Sequence, residues 1–132
     1  MSCPSILIVE DEPLVALDLA RLALEAGYTL CGTAASGPEA LALAELNPPT
    51  VALVDIRLIG RMDGIEVARR LHGQFGTRSI FVTADAVGAT SARVGFPCIA
   101  VVAKPYLTAT LQTLLATAHN DASPGLPTPA VA

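Results

Sequence analysis

Five polar side chains stand where apolar runs of the sequence stop. Glu10 and Asp11 follow Ile6-Leu7-Ile8-Val9, Asp55 follows Val51-Ala52-Leu53-Val54, Thr83 follows Ile80-Phe81-Val82, and Lys104 follows Ile99 to Ala103. Short runs of this kind read as buried strands of a parallel sheet. The ends of such strands make the rim where open α/β sheets bind ligands. Three carboxylates gathered there repel one another and raise at least one pKa, a cost that a hard divalent cation removes. An all-oxygen donor set with room for water suits Mg2+ better than Zn2+, which favours histidine or cysteine. A carboxylate held against such a cation can act as a nucleophile towards phosphorus and give an aspartyl phosphate. Lys104 and the Thr83 hydroxyl would then bind the transferring oxygens. Each residue alone has a plainer explanation, since carboxylates at strand ends cap helices, Thr83 can simply end a strand, and Lys104 can be a solvated charge. Their placement at successive strand ends is what points to one site.

The elements needed to position them alternate along the chain as strand and helix, which argues for a parallel sheet covered on both faces. Strands are expected over Ser5 to Val9, Thr29 to Ala34, the run ending at Asp55, Ser79 to Val82, and Ile99 to Ala103. Helix one is expected from Pro13, suited to a first turn, to Ala26 before Gly27. Ser36 and Glu39 fit a capping box for helix two, which ends before Pro48. Asp63 caps helix three, expected to run to Leu71 or His72. A fourth helix over Asp85 to Gly95 is weakened by Gly88, Thr90, Ser91 and Gly95 and is expected to be short or frayed. Helix five carries apolar residues at Leu107, Leu111, Leu114, Leu115 and Ala118. From Asn120 the chain is proline-rich, so residues 1–119 are expected to form one domain and 120–132 a disordered tail. If the sheet order is 2-1-3-4-5, strands one and three are neighbours at the switch point and the three carboxylates converge there.

Composition narrows the partners. Eight basic residues against twelve acidic ones give a net charge of −4, and Arg69-Arg70 is the one adjacent basic pair, so direct nucleic-acid binding is not expected. No apolar stretch approaches the roughly 20 residues of a membrane span, and Met1 to Ser5 carry no basic cluster of a secretory signal. A cytoplasmic protein is expected. Cys3, Cys31 and Cys98, odd in number and far apart, form neither a disulfide framework nor a metal motif.

Ile-Leu-Ile-Val-Glu-Asp-Glu-Pro at the start, Val-Asp-Ile-Arg-Leu with Met-Asp-Gly-Ile-Glu in the middle, Val-Thr-Ala, and Lys-Pro-Tyr together resemble the response-regulator receiver domain of two-component signalling, over Ser5 to Ala118. The resemblance implies a flavodoxin-like, doubly wound, five-stranded parallel sheet in the order 2-1-3-4-5 with five helices. It makes Asp55 the phosphoacceptor, Asp11 a direct Mg2+ ligand, Glu10 a ligand through water, and the Arg57 backbone carbonyl a further ligand. Thr83 and Lys104 would bind phosphoryl oxygens, and the Lys104-Pro105 peptide would be cis. A sensor histidine kinase or histidine phosphotransfer protein would be the donor. The implied role is a stand-alone response regulator, a signalling protein and not an enzyme, that passes the phosphoryl group on or binds a protein target. Val101 stands where the family often has an aromatic residue that reports phosphorylation, and the loop after Asp55 is one residue longer than usual and lacks a common proline.

The chief alternative is a pseudo-receiver, an interaction module that is never phosphorylated. It would normally have lost one of the five rim residues, and none is missing. A Mg2+ phosphohydrolase would need an acid-base group where Arg57 stands, and a flavin or nucleotide carrier would need a glycine-rich phosphate loop after strand one. Helix one has polar residues only along Asp18, Arg21 and Glu25, so its apolar excess, including Leu14 and Val15, is expected to dock a helical histidine partner, the plainer readings being a dimer contact or an alanine-rich helix covering a large core.

Overall fold

The computed structural model describes residues 4–84 and 98–121. Five parallel strands form one sheet in the order β2-β1-β3-β4-β5. They are β1 (Ser5–Val9), β2 (Thr29–Ala34), β3 (Val51–Val54), β4 (Arg78–Thr83) and β5 (Ala100–Ala103). Among the described residues the helices are α1 (Pro13–Glu25), α2 (Gly37–Leu46), α3 (Gly64–Phe75) and α4 (Thr108–Asp121). This is the doubly wound, flavodoxin-like arrangement with the anticipated strand order. The weak helix expected over residues 85–95 and most of the tail lie outside the described residues.

Side chains of a strand alternate between faces, and the central strands therefore supply two cores. Ile6, Ile8, Leu53 and Ile80 pack under α1 and α4, with Leu19, Leu22, Leu111 and Leu115. Leu7, Val9, Val54 and Phe81 face α2 and α3, with Ala40, Val67 and Leu71. Each fully buried leucine contributes roughly 2 kcal/mol of burial. Both faces of β3 are closed, which is why its four residues are all apolar.

Local signals place the helix starts. Pro13 occupies the first turn of α1. Ser36 accepts a hydrogen bond from the Glu39 amide, and the Glu39 carboxylate accepts one from Ala35 at 2.7 Å. Asp63 accepts from the Glu66 amide at 2.9 Å. At its other end α3 runs past Gly73 to Phe75, beyond the expected His72, because the left-handed cap is supplied by Gly76 at φ 72°. α4 begins after Leu107, so that residue falls outside the core stripe and is 73% exposed, while Leu111, Leu115 and Ala118 are buried. α4 also continues to Asp121, past the boundary expected at 119. No described helix is long and apolar enough to cross a membrane.

Candidate functional site

The sheet itself delivers the polar residues to one rim. The Glu10 amide donates to Ala34 O and the Asp55 amide to Val9 O, both at 2.9 Å, so each ladder runs one residue past its strand. Glu10 is thereby carried to the end of β1 and Asp55 to the end of the adjacent β3. One ligand oxygen from each of Glu10, Asp11 and Asp55 lies within 4.8 Å of the others. Glu10 and Asp55 keep only 3% and 5% exposure, whereas Asp11 is half-buried towards solvent. On the other side, the Lys104 amide donates to Thr83 O at 2.9 Å, which fixes the lysine next to the end of β4.

Lys104 reaches across to the acids. Its Nζ lies 3.0 Å from Asp55 Oδ2, 2.9 Å from Glu10 Oε1 and 3.4 Å from Glu12 Oε1. Burial works against the ammonium, but its contacts with Glu10 and Asp55 outweigh that and raise its pKa. Burial raises the Glu10 pKa; Lys104 and the Glu12 amide pull it back, and the Asp55 charge adds to the rise. The expected mutual repulsion of the carboxylates is therefore present at Glu10. The Glu12 amide donates to Glu10 Oε2 at 3.1 Å, and the Arg57 amide to Asp55 Oδ1 at 3.1 Å. Glu10 Oε1 meets the Lys104 ammonium at 2.9 Å and no other donor among the described residues. A buried carboxylate oxygen with spare capacity, beside two further carboxylates and with no nitrogen or sulfur donor, fits a hard oxygen-seeking cation such as Mg2+.

The structure thus brings together Glu10, Asp11, Asp55 and Lys104. Thr83 is fully buried at the end of β4, beside the lysine's backbone. Arg57 turns its amide towards Asp55, and its side chain is exposed, as is that of Arg61. The Lys104-Pro105 peptide is cis.

Three features escape a reading of the sequence. Glu12 is a third acidic contact of the lysine. Gly64 is pressed so closely on β3 that a Cβ there would sit 1.9 Å from Asp55 O, and its amide donates to Ile56 O at 2.7 Å. The start of α3 is therefore clamped to the backbone of Asp55 itself, and only glycine allows that approach. The Tyr106 hydroxyl donates to Asp18 of α1, across 88 residues of sequence. All three residues lie in motifs quoted above, Gly64 in Met-Asp-Gly-Ile-Glu, Glu12 in Glu-Asp-Glu-Pro and Tyr106 in Lys-Pro-Tyr, but their contacts are not legible there.

A family model described as the response regulator receiver domain matches residues 6–120. The transcriptional regulatory protein PdtaR of Mycobacterium tuberculosis is 42% identical over 66 residues, covering 50% of this chain and 32% of that protein. The phyllosphere-induced regulator PhyR of Methylorubrum extorquens is 39% identical over 80 residues, 60% of this chain and 30% of its own length. The chain spans about a third of these curated relatives. Among solved structures, the receiver domain of PhyR from Erythrobacter litoralis superposes with a TM-score of 0.80 at 30% identity, covering 89% of this chain and 91% of that one. The chain belongs to the response regulator receiver domain family of two-component signalling.

Proposed function

We propose that this chain accepts a phosphoryl group on Asp55 from a phosphohistidine on a sensor kinase or phosphotransfer protein, in a Mg2+-dependent reaction. The observation that carries the reading is the seating of one ammonium, Lys104, between Asp55 and Glu10 with Asp11 alongside. In the transfer, an Asp55 oxygen bonds phosphorus as the bond from phosphorus to the donor imidazole nitrogen breaks. The imidazole leaves with the electron pair and takes a proton from water. Lys104, held protonated, exchanges its contact with the carboxylate for one with a phosphoryl oxygen. The Thr83 hydroxyl offers a further donor. Glu10, Asp11, Asp55 and the Arg57 carbonyl would hold Mg2+, which would neutralise charge on the attacking and transferring oxygens.

The donor's docking surface is the outer face of α1. Leu14, Leu17 and Leu24 are 82%, 68% and 54% exposed at helical spacing, a stripe suited to an apolar helix face. Val15 is different from the expectation for it, because it packs against the core beneath α1. The phosphorylated form then passes the group to another histidine or binds a protein target. Incubation with acetyl phosphate and Mg2+ tests the chemistry: one phosphoryl mass should be gained by the native chain and none by Asp55→Asn. A native chain that gains nothing would make the domain a pseudo-receiver.

A further inference from the structure

We propose that Tyr106 and Asp18 are positioning residues for Lys104, tying the lysine-bearing turn to α1. Three observations meet here. First, Lys104 is followed by Pro105, which has no amide proton, and α4 does not begin until Thr108. Between the Lys104 amide and the first bonds of α4, the Tyr106 ring packs against the core under α1, and its hydroxyl donates to Asp18 Oδ2 at 2.5 Å, a side-chain hydrogen bond that ties this turn to α1. Second, the acceptor is itself held in place. Arg21 lies 2.7 Å from Asp18 Oδ1 and 3.0 Å from Glu25, so the Asp18 carboxylate is fixed on its outer oxygen while the inner one takes the tyrosine. The tyrosine bond, followed by Arg21, lowers the Asp18 pKa. Burial and the same bond raise that of Tyr106. Third, the lysine side chain is long and flexible, yet it must span to two carboxylates on β1 and β3; its reach is set by where its own backbone sits. The Thr83 carbonyl holds that backbone on one side, and a tie two residues away holds it on the other.

Asp18 also lies on the same helix as exposed Leu14 and Leu17, so a partner covering that face covers the far end of the tie. The phosphoryl-binding amine and the docking helix are thereby joined at two points, directly through Glu12 at the start of α1 and, two residues past the lysine, through the Tyr106–Asp18 bond. The functional weight of this rests on the reading of Lys104 given above, but the positioning itself can be tested without any phosphoryl donor.

Lys104 is the one lysine in the 132-residue sequence, so amine acetylation at position 104 can be followed by peptide mass with no competing side chain. In the native protein the ion-paired, protonated amine should react slowly with an N-hydroxysuccinimide ester. Tyr106→Phe, which removes only the hydroxyl, should speed the reaction about tenfold, the population change expected when one charge-assisted hydrogen bond is lost from a local opening equilibrium. Asp18→Ala, which leaves the hydroxyl no side-chain acceptor at position 18, should act in the same direction, and the double variant should react no faster than the quicker single one, because both remove the same bond. Amide exchange in β1 and β3 should stay at native rates. Unchanged labelling in both single variants would overturn the proposal. So would multiplying effects in the double variant, or faster amide exchange throughout the sheet, which would make the bond general support for the fold. No phosphate enters this measurement, so its outcome and that of the acetyl phosphate experiment are read separately.

Discussion

Replacing Lys104 by methionine removes the one cation seated between two buried carboxylates, and its consequences can be put in numbers. Nζ is 2.9 Å from Glu10 Oε1 and 3.0 Å from Asp55 Oδ2. Each pair has about 5 kcal/mol of gross attraction at an effective dielectric of about 20. Desolvation cancels most of that, and removing one partner of a fully buried set costs about 3–5 kcal/mol. The lysine side chain keeps 14% exposure, which lowers the expectation to about 2–3 kcal/mol. In a domain of this size that is a fall in Tm of about 10 °C. The loss should depend on pH. Glu10 has a folded pKa above its ordinary 4.5, so its protonated form favours folding at low pH, and stability falls as pH rises through the folded value. Without the lysine this rise grows, because Lys104 is one of the groups pulling the Glu10 pKa down. Lys104 itself, with its pKa raised above 10.5, stays protonated between pH 4 and 8, so the pH dependence of its contribution comes from Glu10. Thermal melts of Lys104→Met without metal should therefore show a small deficit near pH 4.5 and the full one at pH 8, with Mg2+ restoring part of it. An equal deficit at both pH values, or none, would refute the electrostatic account of the pocket.

Other consequences are more direct. Gly64→Ala would drive a methyl into the Asp55 carbonyl, so a destabilisation of about 1–3 kcal/mol by urea unfolding and slower acetyl phosphate labelling are expected. Leu17→Asp, at an exposed position, should leave acetyl phosphate labelling at the native rate and slow transfer from a histidine-phosphorylated partner by about tenfold, the equivalent of about 1.4 kcal/mol of docking energy; this is read in a two-protein transfer assay. Tyr28→Phe removes the buried hydrogen bond to Leu115 O at 2.7 Å and leaves that carbonyl short of a donor, for a loss of about 1–2 kcal/mol in melts.

How much of this was legible in the sequence follows from the range of the interactions. Polar residues at strand ends and the caps at Pro13, Ser36 and Asp63 are local signals, and the structure has them where the sequence put them. The strand order was what the family resemblance implied, since convergence of the carboxylates asks only that β1 and β3 be neighbours. Boundaries set by tertiary packing were less visible. Gly73 sits inside α3 because Gly76 is the residue in the left-handed cap. Leu107 keeps the helical period but precedes the helix. Val15 looked like surplus apolar surface on α1, yet it packs against the core beneath that helix. The clamp of Gly64 on Asp55 and the Tyr106–Asp18 bond join elements that only the folded chain brings together, so no pattern in the sequence marks them as partners.

The most direct test of the central claim is to name the atom that carries phosphorus. Borohydride reduces an aspartyl phosphate to homoserine, which marks its position permanently for peptide mass spectrometry. After acetyl phosphate and Mg2+, homoserine should be found at position 55, and chelation of the metal should abolish it. Homoserine at position 11, or at position 55 to the same extent without metal, would contradict the account.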